Sequence, residues 1–247
     1  MANPAGKVYL VGSGVGSLAY LTVRGQQLLS RAQVLVYDAL VDEALLQLVP
    51  EGCLRVNVGK RGGLPSATQG EINHLLVDHC QQGKQVVRLK SGDPFIFGRS
   101  TSEIQALNEA ECAFEVVPGI SSALAAPLLA GIPLTDPVLS RCFAVLSAHE
   151  PEELEWEALA QLETLVILMG AKQLPKIIEQ LLRHGRSSQT PIAIIRWAGH
   201  PEQQIWIGTL EDIVQKTSRQ SLSPAIITIG EVVRLRPYLQ SCPSDSS

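Results

Sequence analysis

The residues best suited to chemistry lie in the turn Ser91-Gly92-Asp93-Pro94, directly after the largely apolar run Val86–Lys90. A β-branched, apolar run of this kind predicts a buried strand, and the turn contains a glycine whose backbone can approach a ligand closely. Ligands of open α/β sheets bind at the carboxyl ends of the strands. The turn is therefore a candidate ligand-binding loop, and an ordinary strand-to-helix turn is the alternative.

Two further loops have the composition of anion-binding sites. Lys60 and Arg61 lie in the glycine-rich loop Gly59–Gly63, at the end of a predicted strand, and paired cations suit an anionic ligand. Ser121 and Ser122 stand at the predicted start of a helix, where free N–H groups and two hydroxyls can bind a carboxylate. The alternatives are a solvated loop and an ordinary helix cap.

A regular alternation of strands and helices in the first half of the chain positions these loops. Such alternation predicts a mostly parallel sheet in an α/β fold. The second half contains a hairpin-like pair of strands, which predicts a mixed sheet. The predicted strands of the two halves are 8–11, 34–37, 54–58, 86–90 and 114–117, then 142–147, 164–169, 191–197, 204–208 and 225–229.

Two prolines in the segment 131–137 mark the predicted domain boundary, which gives domains 1–136 and 137–240 and a disordered tail at 241–247. Thr68 and Glu71 have the spacing of a capping box at the start of a helix. One helix is also predicted at 152–162, and another, capped by Thr209, at 210–217.

Composition excludes several classes of function. A net charge of −4 and only 4% aromatic residues argue against a nucleic-acid-binding protein. The five cysteines and five histidines show no metal-ligand spacing, so no metal is expected. No apolar run approaches the ~20 residues of a membrane span, which favours a cytoplasmic protein without a membrane partner. The glycines of Gly12–Gly16 lack the G-x-G-x-x-G spacing of nicotinamide-binding Rossmann folds.

Taken together, the motifs resemble those of the S-adenosylmethionine-dependent tetrapyrrole methylase family over essentially the whole chain. Each motif is weak alone, but eight in order at matching spacings are specific. They are Val11–Gly16, Tyr37–Val41, Val58–Arg61, Val87–Pro94, Phe97–Arg99, Val116–Ser122, Gly131–Thr135 and Gly230–Val233.

The resemblance implies two α/β domains with an active-site cleft between them, and a homodimer. It implies that two molecules of S-adenosylmethionine methylate two pyrrole carbons of uroporphyrinogen III, giving S-adenosylhomocysteine and precorrin-2 for sirohaem or cobalamin synthesis. The cofactor-binding positions that it implies are Val15, Ser91, Gly92, Asp93, Ile96, Ser121, Ser122, Met169, Ala193 and Ala225.

On the substrate side, the resemblance implies that Arg99 is catalytic or anchors the substrate and that Asp38 contacts a pyrrole N–H. Lys60, Arg61 and Arg99 would bind the carboxylates of the tetrapyrrole. The acid that usually follows this arginine is replaced by Ser102, and Glu103 is expected to point elsewhere on its helix. Two alternatives remain, namely methylation of another tetrapyrrole, such as a later precorrin, and a non-catalytic cofactor-binding paralogue.

Overall fold

The fold was taken from a computed structural model, which describes residues 6–59 and 67–239. The chain forms two compact units that divide between Ser121 and Ser122. The first unit contains strands β1 (Lys7–Gly12), β2 (Val34–Tyr37), β3 (Leu54–Asn57), β4 (Gln85–Lys90) and β5 (Ala113–Val117). Its helices are α1 (Val23–Leu29), α2 (Gln69–Gln81) and α3 (Ser100–Glu109), with 3₁₀ helices at Leu18–Tyr20 and Glu43–Leu48.

The five strands of the first unit form one parallel sheet in the order β3-β2-β4-β1-β5. Successive side chains of a strand point to opposite faces, so both faces of the central strands must be covered. Val87 and Leu89 pack on the side that α1 covers, whereas Val86 packs on the side of α2 and α3. The predicted parallel sheet is confirmed.

The second unit contains strands β6 (Phe143–Ser147), β7 (Thr164–Leu168), β8 (Pro191–Arg196), β9 (Gln204–Thr209) and β10 (Ala225–Ile229). Its helices are α4 (Ser122–Leu129), α5 (Trp156–Gln161), α6 (Leu174–Arg183), α7 (Ile213–Thr217) and α8 (Arg236–Leu239), with 3₁₀ helices at Pro151–Glu153, Ala171–Gln173 and Glu231–Leu235. The sheet order is β6-β7-β10-β8-β9, with one parallel pair and three antiparallel pairs. The predicted mixed sheet and its hairpin are confirmed.

Two helix predictions in the second unit are wrong. Thr209 is the last residue of β9, and α7 begins only at Ile213, because the carboxylate of Asp212 accepts the Thr209 N–H at 2.9 Å. The predicted helix 152–162 is broken at Leu154, whose backbone is extended. There the indole N–H of Trp156 donates to the carbonyl of Pro151 at 2.6 Å, which fixes the break.

Helix α4 belongs to the second compact unit. Its small residues Ala123 and Ala126 are buried in a cluster with Val166 and Ala193 of the second sheet. The domain boundary predicted after residue 136 would place this helix with the first sheet instead. Packing of small apolar side chains assigns α4 to the second compact unit, and the domain boundary after residue 136 remains a prediction.

The capping box of α2 is present as predicted. The Thr68 hydroxyl accepts the Glu71 N–H at 3.3 Å, and the Glu71 carboxylate accepts the Thr68 N–H at 2.6 Å. These bonds hold the pKa of Glu71 below its usual range. They satisfy two backbone donors that the first turn of a helix leaves unpaired, which fixes the start of α2.

Neutralising Glu115 should lower stability at neutral pH but not in acid. The Glu115 carboxylate accepts from Lys7 at 3.1 Å and from Arg24 at 2.9 Å. Burial raises the pKa of Glu115, but the bonds and charges of these two cations outweigh it and leave the pKa lowered. A carboxylate with a lowered folded-state pKa stabilises the protein above its unfolded-state pKa, and this stabilisation disappears as pH falls through the folded-state value.

Urea unfolding of wild type and Glu115→Gln should therefore show a stability difference at neutral pH that shrinks steadily below the ordinary glutamate pKa. A difference that stays constant through the acid range would show that the pair of cations does not stabilise the ionised form.

Candidate active site at the carboxyl edge of the parallel sheet

Three glycine-containing loops meet at the carboxyl ends of the neighbouring strands β4, β1 and β5. Gly14 and Gly92 exchange two backbone hydrogen bonds, of 3.2 and 2.9 Å, and both adopt positive φ. A Cβ built on Gly12 would lie 2.5 Å from the Gly92 carbonyl oxygen, and one on Gly119 only 2.2 Å from it. The three backbones approach so closely that glycine is required.

Asp93 ties two of these loops together. Its Oδ1 accepts the Phe95 N–H at 2.8 Å, and its Oδ2 accepts the Gly119 N–H at 3.1 Å. One carboxylate thus fixes both its own turn and the loop after β5. The motif residues that lie 26 positions apart in sequence are brought into hydrogen-bond contact.

The structure places the predicted cofactor positions of the first unit around these loops. Val15 and Ser121 are buried, Ser91 and Ile96 are exposed, and Gly92 and Asp93 stand at the turn itself. Exposed backbone and side-chain groups at the ends of parallel strands can bind the polar parts of a nucleoside-type ligand. Their assignment to a cofactor remains a prediction.

The segment Phe95–Arg99 projects from the same edge. Phe97 and Arg99 both adopt left-handed backbone conformations, with φ of 53° and 55°. The Ser100 hydroxyl donates to the Pro94 carbonyl at 2.6 Å and closes the turn. Left-handed non-glycine residues are strained and concentrate at functional sites, where the surrounding structure holds them.

Arg99 is exposed and immediately precedes α3. Within residues 6–59 and 67–239 its guanidinium has no hydrogen-bond or ion-pair partner. Phe95 and Phe97 beside it are 63% and 46% exposed. An unpaired guanidinium next to exposed aromatic rings suits a ligand that combines carboxylates with a large apolar surface.

Sequence reasoning missed a buried ionic cluster under this segment. Arg88 and Lys90 are each 3% exposed, and Glu103 is fully buried. Arg88 donates to Asp38 at 2.6 Å and to Glu103 at 2.9 Å, and Lys90 donates to both oxygens of Glu103 at 2.9 and 2.8 Å. Glu103, expected to point elsewhere on its helix than the acid replaced by Ser102, is thus engaged with both cations.

The cluster also defines the position of Asp38, the predicted contact to a pyrrole N–H. Asp38 follows β2, and its side chain is 29% exposed while one oxygen holds the Arg88 guanidinium. The sequence signal for this arrangement was available: two cations at alternate positions of a buried strand require counter-ions.

A cavity of about 140 Å³ lies beside this strand end. Its polar lining consists of Tyr37, Glu43, Gln47, Arg55 and Asn57, the rest of the lining is apolar, and it does not include Asp38. Lys60 and Arg61, the predicted substrate-binding cations, lie outside the described residues.

The predicted cofactor positions of the second unit lie on or beside its central strands. Met169 follows β7 in a left-handed conformation and is 50% exposed, and Ala225 opens the antiparallel neighbour β10. The β10–β7 register brings these two positions to the same end of that sheet. Ala193 is fully buried within β8, opposite Thr228, and Ser122 is the half-buried first residue of α4.

The residues of the chain match the model of one protein family, the Tetrapyrrole (Corrin/Porphyrin) Methylases, from 7 to 214. The chain belongs to that family. It is 60% identical to a uroporphyrinogen-III C-methyltransferase of Synechococcus elongatus over 233 residues, which cover 94% of this chain and 96% of the relative.

The chain is also similar to two other proteins, one a curated relative and one a solved structure. The chain is 45% identical to a sirohaem synthase of Pectobacterium atrosepticum, with 95% of this chain and 49% of that protein covered. It therefore spans about half of that longer enzyme. A crystal structure of the Thermus thermophilus uroporphyrin-III C-methyltransferase with S-adenosylhomocysteine superposes with a TM-score of 0.81 at 37% identity, covering 93% of this chain and 100% of that chain.

Two kinds of feature are absent from the described part of this methylase. No group of three or more His, Cys, Asp or Glu side chains there is arranged to hold a metal ion. None of the helices described between residues 6 and 239 has the length and apolar character needed to span a membrane.

Proposed function

We propose that this chain transfers methyl groups from S-adenosylmethionine to two pyrrole carbons of uroporphyrinogen III, C2 and C7, to form precorrin-2. The observation that carries the proposal is 60% identity to a uroporphyrinogen-III C-methyltransferase over nearly the full length of both chains. The loops at the carboxyl edge of the parallel sheet supply a site of the required kind.

S-adenosylmethionine supplies a methyl group on a positively charged sulfur, which is an excellent leaving group. An electron-rich pyrrole carbon of the substrate is the nucleophile, so the protein mainly has to align the two and exclude water. The rigid loops around Gly12, Gly92 and Gly119 suit alignment, because a backbone that cannot move holds its N–H and C=O groups in fixed positions.

The substrate presents many carboxylates, whereas the chain has a net charge of −4. Binding therefore depends on local cations. Arg99 is available for this, and we assign it to substrate binding and catalysis, with Lys60 and Arg61 as further carboxylate ligands. Asp38 is assigned to a pyrrole N–H, because one of its oxygens is committed to Arg88 and its side chain remains partly exposed.

The proposal includes three properties of the assembly and its setting. We infer a homodimer, a cytoplasmic location and a supply of precorrin-2 to sirohaem synthesis, with cobalamin synthesis as the second branch. The similarity to a sirohaem synthase supports the first of these branches.

Mass spectrometry tests the reaction directly. The purified protein and S-adenosylmethionine are incubated anaerobically in two parallel reactions. One contains uroporphyrinogen III, and the other contains a precorrin that already carries the first two methyl groups. We expect uroporphyrinogen III to gain two methyl groups and the precorrin to remain unchanged. Methylation of the precorrin alone would overturn the substrate assignment. Methylation of neither compound would overturn the proposed activity and favour the alternative, a non-catalytic cofactor-binding paralogue.

A further inference from the structure

A continuous line of charged side chains runs beneath the carboxyl edge of the first sheet. It begins at Glu103 in the first turns of α3, passes through Arg88 of β4 and ends at Asp38 after β2. Arg88 and Lys90 stand at alternate positions of β4, so both point to the sheet face that α2 and α3 cover. This geometry explains how a glutamate of α3 meets both cations.

Burying three charged groups, Arg88, Lys90 and Glu103, beside a partly exposed fourth is not an efficient route to stability. A buried ion pair gains little over well-packed apolar residues of the same volume, because the cost of removing its charges from water is so large. The cluster is nevertheless complete: two cations face two carboxylates, and every short contact is a charge-assisted hydrogen bond. The burial of these charged groups is better explained by the side-chain orientations that the cluster fixes.

The two cations differ in what they contact. Arg88 uses separate nitrogens for the two carboxylates, with Nε on Glu103 and Nη2 on Asp38, so its planar guanidinium sets the direction of both. Of the two carboxylates in the cluster, Lys90 contacts only Glu103, and its ammonium donates to both oxygens of that carboxylate. Lys90 therefore balances charge, whereas Arg88 connects α3 to the end of β2.

The electrostatics agree with these roles. Burial lowers the pKa of Arg88, but Asp38 and Glu103 outweigh it and raise the pKa above its usual range. Burial and the neighbouring Arg88 lower the pKa of Lys90, although Glu103 opposes them. The guanidinium is thus the permanently charged centre of the cluster.

We propose that Glu103 and Arg88 are positioning residues, which hold the Asp38 carboxylate in the orientation needed at the substrate. This inference rests on the proposed function, in which Asp38 meets a pyrrole N–H. The same pair anchors the start of α3, the helix that Arg99 immediately precedes. The chain of contacts from Glu103 through Arg88 thereby fixes the relative positions of Asp38 and Arg99, the two residues assigned to the substrate.

The test separates positioning from stability with two substitutions in the same strand. Arg88→Lys keeps the charge but cannot bridge both carboxylates, so we expect Asp38 to be released and kcat to fall about 100-fold, the cost of a misplacement near 1 Å. The melting temperature should fall, as in Lys90→Met, because a buried contact is lost, whereas the KM for S-adenosylmethionine should change little. Lys90→Met leaves the Glu103–Arg88–Asp38 line intact, so we expect a lower melting temperature and a kcat near that of wild type.

A double-mutant cycle shows whether Arg88 acts through Asp38. Asp38→Asn should lower kcat, and adding Arg88→Lys should lower it no further, because the residue being positioned is already disabled. Glu115→Gln is the matched control: it neutralises a carboxylate of β5 that also holds two cations, Lys7 and Arg24, and kcat should not change. If Arg88→Lys does not fold, Glu103→Asp keeps the charge but shortens the side chain, which withdraws the carboxylate from Arg88, and the same signature is expected.

The outcomes distinguish the two proposals. No methylation by the wild-type protein would overturn both. With an active wild type, an unchanged kcat in Arg88→Lys, or additive losses in the cycle, would overturn the positioning role alone. A loss of kcat in both Arg88→Lys and Lys90→Met that follows their melting temperatures would show that the cluster is only structural.

Discussion

Gly119→Ala is expected to weaken binding of S-adenosylhomocysteine by at least about tenfold, or roughly 1.4 kcal/mol. The new methyl group would lie 2.2 Å from the carbonyl oxygen of Gly92 and 2.7 Å from the backbone of Gly12. Both obstacles are backbone atoms, so no side-chain rotation can relieve the clash and the loops after β4 and β1 must separate. Isothermal titration calorimetry measures the loss of affinity.

Gly70→Ala is the matched control for this substitution. A Cβ at Gly70 meets nothing within 4 Å among residues 6–59 and 67–239, and alanine favours the helical conformation of α2. This variant should bind S-adenosylhomocysteine like the wild type and be slightly more stable. Wild-type affinity in Gly119→Ala would show that the three-loop contact is not part of the cofactor site.

Arg99→Ala should lower kcat/KM for uroporphyrinogen III roughly 100-fold, the typical effect of removing one preorganised charged or hydrogen-bonding group. The guanidinium is exposed and has no partner among the side chains that the structure describes, so its removal costs no internal contact. We therefore expect the melting temperature and the affinity for S-adenosylhomocysteine to stay close to those of the wild type.

Arg31→Ala tests whether this effect is specific to position. Arg31 is also exposed but lies just before β2, at the opposite, amino edge of the same sheet. Its removal changes the net charge equally and should leave kcat/KM unchanged. Equal losses in the two variants would indicate a general electrostatic effect on substrate association and not a specific role of Arg99.

The sequence predicted most of the architecture because local patterns decide it. The apolar run before Lys90 formed the central strand, and the capping box at Thr68 and Glu71 started α2 as expected. The predictions for 152–162 and for Thr209 failed where tertiary contacts override local preference, through the Trp156 indole and the Asp212 carboxylate. Helical periodicity contains no information on such bonds.

Prediction of the site was uneven for a similar reason. The glycine turns were recognisable because their residue types are unusual, and the structure brings the loops of Gly14, Gly92 and Gly119 together. The Glu103–Arg88 contact could not be located, because it depends on which face of β4 meets α3. Alternating cations in a buried strand indicate that counter-ions exist but not which ones.

The measurement that tests the account most directly is the ratio of S-adenosylhomocysteine formed to uroporphyrinogen III consumed. It is followed anaerobically by liquid chromatography with the wild-type protein at saturating S-adenosylmethionine. We expect a ratio that reaches two at completion, since the same enzyme makes both transfers and each releases one S-adenosylhomocysteine. No S-adenosylhomocysteine above the level of a tetrapyrrole-free control, with uroporphyrinogen III unconsumed, would contradict it.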